Sequence, residues 1–166
     1  MMIGRHPQGT AGQALVEFAL VIPLLLLLFM GVFDFGRAIY TYNAISNAAR
    51  EGGRTAIVNQ TLLDIRTRAA AQATVVGIDP TTTACDPAVT TQTDCVFVSF
   101  MNATLSASCN PTSGNYGCVA VVTVKHTFTP LTPIVGQIWN KILLTSTTKQ
   151  QIESVCIDGA VTCPVP

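Results

Sequence analysis

One carboxylate, Glu17, interrupts the twenty residues from Ala14 to Phe33, which read ALVEFALVIPLLLLLFMGVF. A lone charge in such a run costs roughly 3 kcal/mol to place in hydrocarbon, so it needs a partner and a purpose. Asp34, Gly36 and Arg37 close the run with a second polar cluster. Further along stand six cysteines, Cys85, Cys95, Cys109, Cys118, Cys156 and Cys163, none of them in a C-x-x-C pair. That spacing gives little support to a zinc site or a thioredoxin-like redox motif. An even number in an exported domain favours disulfides. Pairing of neighbours, Cys85 with Cys95, Cys109 with Cys118 and Cys156 with Cys163, closes three short loops. Other pairings and free buried thiols stay open as alternatives.

Catalysis finds no comparable footing. His126 is the one histidine beyond the apolar run, on an expected strand beside Lys125. A lone strand histidine is more often structural than catalytic. No G-x-S-x-G, H-E-x-x-H or phosphate-binding loop is present. The sequence therefore assigns no catalytic, cofactor-binding or metal residue.

Composition says where such a chain belongs. Only 11% of its 166 residues are charged, with nine basic against nine acidic. A soluble domain carries about a quarter charged residues. The mean hydropathy is +0.45. Balanced charge argues against a nucleic-acid surface, and sparse charge against a disordered chain.

The elements that must position these residues follow from periodicity. As a helix, Ala14–Phe33 covers about 30 Å, the thickness of a hydrocarbon core. Arg5 and His6 precede it without an acidic residue, which keeps the tail cytoplasmic and sends the remainder across the membrane. An ordinary signal peptide fits poorly, because the run is long and bulky residues surround its border. The helix is expected to continue beyond the membrane. Ala38, Tyr42, Ile45, Ala49 and Gly52 trace one face, and Asn43, Asn47, Arg50 and Arg54 the other. Gly52-Gly53 should weaken or end it, for a length of about 40 residues or ~60 Å. Pro23 removes one backbone hydrogen bond and should bend the membrane half.

A second helix is expected at about 62–77, with a capping-box spacing from Thr61 to Asp64 and a stop at Gly77. Leu62, Ile65, Ala69, Ala73 and Val76 would make its apolar face, leaving Arg66, Arg68 and Gln72 exposed. Three strands follow, at 96–101, 118–128 and 142–148, the last extending toward Ile152. Two Thr-, Asn- and Pro-rich stretches, 79–95 and 102–117, read as surface loops. Trp139 should anchor the connection before the third strand. The fold class is α+β: a long amino-terminal transmembrane helix running into a small domain with a second helix and an antiparallel sheet of three or more strands.

Gly12-Gln13-Ala14-Leu15-Val16-Glu17-Phe18, after a short polar leader and before an apolar run, resembles the processing site of type IV prepilins. The longer segment, with Pro23, Asp34, Gly36-Arg37 and Ala48-Ala49-Arg50-Glu51-Gly52, resembles the amino terminus of TadE-like proteins, pilin-like components of Tad (Flp-type) pilus machines. The resemblance is strong over about residues 12–56. It echoes faintly in Phe128-Thr129-Pro130-Leu131-Thr132-Pro133 and near Glu153.

The resemblance implies cleavage by a prepilin peptidase between Gly12 and Gln13. The freed Gln13 amine of one subunit would pair with Glu17 of another, with Phe18 beside it, and set axial register. It implies a leader at 1–12, a membrane span at 13–36 and an extracytoplasmic domain at 37–166, anchored once in the inner membrane. The implied partners are the major Flp-type pilin, other pseudopilins, the inner-membrane assembly platform and the lipid bilayer, with no nucleic acid and no cofactor. The competing expectations are an uncleaved anchored binding or adhesin domain and, more remotely, a secreted hydrolase.

Overall fold

The computed structural model describes residues 10–79, 85, 92–111, 117–132, 136 and 140–152. A helix, α1, runs from Thr10 to Val58, through Pro23 and through both glycines at 52 and 53. Its 49 residues correspond to roughly 74 Å. After a short link comes α2, Leu62–Gln72, then a 3₁₀ turn at Thr74–Val76. Three strands complete the described chain: β1, Cys95–Met101; β2, Val119–Phe128; and β3, Ile142–Gln151.

The sheet has the order β1-β2-β3, antiparallel throughout, with Val98 opposite Val122 and Val124 opposite Ser146. Alternation along β2 does what a half-buried strand must. Ala120, Val122, Val124 and Phe128 are buried, while the residues between them are only partly covered. The buried face carries both helices, α1 over β2 and β3 and α2 over β1. On the open face, the Thr123 and Thr147 hydroxyls meet at 2.9 Å across the β2–β3 pair.

Small residues let α1 approach closely. Ala44, Ile45, Ala48, Ala49 and Ala56 are buried against α2 and the sheet. Gly52 is the tightest point: a Cβ there would lie 2.9 Å from Ala69 Cβ and from Val122 Cγ1. A Cβ on Gly53 would lie 2.9 Å from Thr148 Cγ2. These glycines therefore do not end the helix, as their low propensity suggests. Packing they make possible carries α1 on to Val58, where the Gln60 side chain donates back to the Ala56 carbonyl at 3.1 Å.

Other local expectations change for similar reasons. Tyr42 is exposed, because the buried face passes through Thr41 and Ala44–Ile45 instead. Leu62 is also exposed, and Ala70 joins Ile65, Ala69 and Ala73 inside. Arg66 is half-buried, whereas Arg68 and Gln72 are exposed. The Thr61 side chain makes no capping bond. Asn59 takes the other half of the box: its Oδ1 accepts from Thr61 N at 2.8 Å, the bond Asp64 would make, and its Nδ2 donates to Asp64 Oδ2 at 2.7 Å. The second helix stops at Gln72, and Gly77, left-handed with φ of 86°, caps the 3₁₀ turn beyond it. Trp139, Glu153, Cys156 and Cys163 lie outside the described residues.

Among the described residues two disulfides stand beside the first two strands. Cys85 bonds Cys95 with Cα atoms 5.2 Å apart, and Cys109 bonds Cys118 with Cα atoms 5.8 Å apart. Backbone bonds hold both bridges beside the sheet, from Cys85 N to Val96 O and from Cys109 N to Phe100 O.

Candidate functional site

Two polar clusters of α1 bracket its bare apolar stretch, one toward each end. From Leu15 to Phe33 the large hydrophobic side chains are exposed on every side of the helix. This is the one segment among the described residues that is long and apolar enough to cross a membrane. Such a surface is stable only if something apolar covers it.

At the lower end the helix has already begun at Thr10, so Gly12 and Gln13 lie in its first turns. Glu17 stands one turn above Gln13, whose Nε2 donates to Glu17 Oε1 at 3.3 Å. Both side chains and Phe18 are exposed. Nothing lies within 4 Å of where a Cβ on Gly12 would stand. Packing among the described residues thus sets no demand for glycine at 12 or for a carboxylate at 17.

The upper end is built differently. Asp34 is buried at 6% exposure, although it follows directly on the exposed run. Its carboxylate accepts from Leu131 N at 3.0 Å, from Thr132 N at 2.8 Å and from the Thr132 hydroxyl. Arg37, one turn on, donates from Nη1 to Asp34 Oδ1 at 3.5 Å. The same guanidinium lies over the Phe128 ring, 5.5 Å from its centroid. One turn of α1, the end of β2 and the loop after it are thus tied at a single point. A carboxylate offers about four acceptor positions, and these donors fill most of them. Gly36 takes no part, since a Cβ there would meet nothing within 4 Å.

Sequence separation hid this clamp. Asp34 and Thr132 are 98 positions apart. The signal that was legible was a faint one, the Thr-Pro-Leu-Thr-Pro pattern around Leu131, and nothing in it names the acceptor. His126 is placed beside Asp94, Nδ1 to Oδ1 2.6 Å, in an approach without hydrogen-bond alignment. Asp94 Oδ1 also accepts from Thr127 N at 3.1 Å, so this carboxylate fastens the strand entry. Among the described residues no three His, Cys, Asp or Glu side chains are placed to hold a metal.

A family model described as TadE-like protein matches residues 12–54. The match begins at Gly12, takes in Glu17, Asp34, Arg37 and Gly52, and ends inside α1. Over that segment the chain is similar to TadE-like proteins; the sheet and the two described disulfides lie beyond it. No curated protein and no solved structure matches the chain.

Proposed function

We propose that this TadE-like chain is a membrane-anchored minor pilin or pseudopilin that serves assembly of a Tad-type pilus. Its role is structural rather than catalytic. One observation carries the reading: a carboxylate, Glu17, stands on a helical stretch whose surroundings are otherwise apolar and which is exposed among the described residues. The family match over residues 12–54 supports the same reading.

The division of the chain follows. Residues 1–12 form a cytoplasmic leader, 13–36 the membrane part of α1, and 37–166 an extracytoplasmic domain. A prepilin peptidase cuts between Gly12 and Gln13. Among the described residues of the uncut chain, Glu17 accepts from the Gln13 side-chain amide, a neutral donor. The cut makes the Gln13 nitrogen a cationic amine, which pairs with Glu17 of an adjacent subunit when helices stack. Breaking a buried pair by removing one partner costs about 3 kcal/mol or more, roughly a hundredfold in an association constant. The partners are therefore the major Flp-type pilin, other pseudopilins and the inner-membrane platform that feeds subunits to the filament.

Amino-terminal sequencing of the protein from its own membrane checks the first step, with Gln13 expected at the start. An uncut chain would instead mark a permanently anchored binding domain. Glu17→Ala checks the second. Insertion and cleavage should continue while piliation falls by about a hundredfold. Normal piliation in that variant removes the carboxylate from the assembly step.

A further inference from the structure

The loop that Asp34 holds has a property its clamp does not explain. Leu131, at its tip, is 71% exposed. Its side chain borders one apolar groove with Phe29, Met30, Val32 and Phe33, and Asp34 and Thr132 form the groove's upper rim. Those four α1 residues belong to the last turns of the bare run and are themselves largely exposed. A side chain that shares their groove shares their depth. If Phe29 to Phe33 lie in acyl chains, so does Leu131.

The backbone around Leu131 suits that position. Irregular chain is excluded from hydrocarbon by its unpaired N–H and C=O groups. Pro130 has no N–H. The N–H groups of Leu131 and Thr132 both donate to Asp34, as does the Thr132 hydroxyl. The Thr132 carbonyl accepts from Gly136 N at 2.8 Å. Every N–H of the tip is thus absent or paired, and the tip presents an aliphatic side chain outward. Just above, Arg37 and Tyr40 line a more polar cleft with His126 and Thr129, the chemistry expected at headgroup level. Asp34 therefore stands at the boundary, its charge satisfied by the loop instead of by water.

We propose that the Pro130–Thr132 loop is a second membrane contact, a foot that inserts Leu131 into the extracytoplasmic leaflet beside Phe29 and Phe33. The inference rests on the reading of 13–36 as a membrane span. Its occupant is lipid, because the foot continues the surface of the span without a break. The consequence is a domain held to the bilayer at two points, which restrains its tilt against the membrane. The far end of the sheet, where Met101 pairs with Val119, then points away from the membrane.

Full-length protein in phosphatidylcholine–phosphatidylglycerol vesicles tests this, with a polarity-sensitive fluorophore on single added cysteines and the unsubstituted chain, labelled without reductant, as baseline. Leu131→Cys is compared with Leu25→Cys in the span and Thr104→Cys on the distal turn. The foot predicts that shallow doxyl-lipid quenching of the Leu131→Cys probe reaches at least half that at Leu25→Cys. Its quenching by aqueous iodide should be several-fold weaker than at Thr104→Cys. Adding Asp34→Asn should at least halve the lipid quenching at 131. Iodide access equal to that at Thr104→Cys overturns the foot, and so does a probe shielded from both quenchers, which would mark a protein cover. In either case, quenching retained at Leu25→Cys leaves the span standing; its loss there would remove the span instead.

Discussion

The lower and upper halves of α1 are one continuous helix with opposite surfaces. Below Asp34 the apolar side chains are large and exposed on every side: Leu, Ile, Val, Phe and Met. Above it the buried residues are small, chiefly alanine and glycine, and confined to one stripe. The difference reflects the two solvents. In hydrocarbon a helix needs no inward face, because the surroundings are as apolar as any core. In water the apolar surface must be hidden, and small side chains allow a helix to lie close on a sheet. Apart from the groove its last turns share with Leu131, the lower half packs on no other element among the described residues, which leaves its sequence to the membrane and to partners. The upper half is committed to folding.

That division is open to direct attack. The largest effect should come from Gly52→Leu. It places four carbons where one Cβ would already meet Ala69 and Val122 at 2.9 Å. Overpacking of this kind costs about 3 kcal/mol or more. Denaturant unfolding of the detergent-solubilised protein should register it, and an unchanged midpoint would mean that the α1–sheet packing is loose.

Asp34→Ala should come next. It removes the acceptor for two amides and a hydroxyl at the junction of the halves, at a cost of about 2–3 kcal/mol. Hydrogen exchange should report the loss locally, with the Leu131 and Thr132 amides exchanging about 30- to 100-fold faster while β2 stays protected. Unaltered exchange at those amides would mean that the loop is held by something other than the carboxylate.

The smallest effect belongs to Leu24→Ala, deep in the exposed run. Unfolding of the external domain should move by no more than about 0.5 kcal/mol. A loss comparable to that of Gly52→Leu would show that the two halves are not separate in their energetics after all.

Much of the architecture could be read from local pattern. The apolar run, the second helix, three strands of roughly the observed extent and their α+β combination follow from periodicity, which encodes how each segment meets its solvent. The failures have a common cause. Gly52-Gly53 have poor helix propensity, and only the closeness of Ala69 and Val122 explains why the helix passes through them. Thr61 and Asp64 have the spacing of a cap, yet Asn59 takes the Thr61 amide and the Asp64 carboxylate. Tyr42 fits one helical stripe and lies outside the true one by about a quarter-turn.

For the candidate site, sequence by itself determined that a carboxylate interrupts an apolar run and that a second one ends it. Those facts need no neighbours, since a charge among hydrophobic residues is anomalous in any fold. Tertiary structure decided what the second carboxylate does. Asp34 finds its donors 97 and 98 positions away, at a loop whose composition does not announce a partner. Hydrogen bonds across such a distance depend on how the sheet docks on α1, and that docking is set by the summed packing of the small-residue stripe, which no single motif contains.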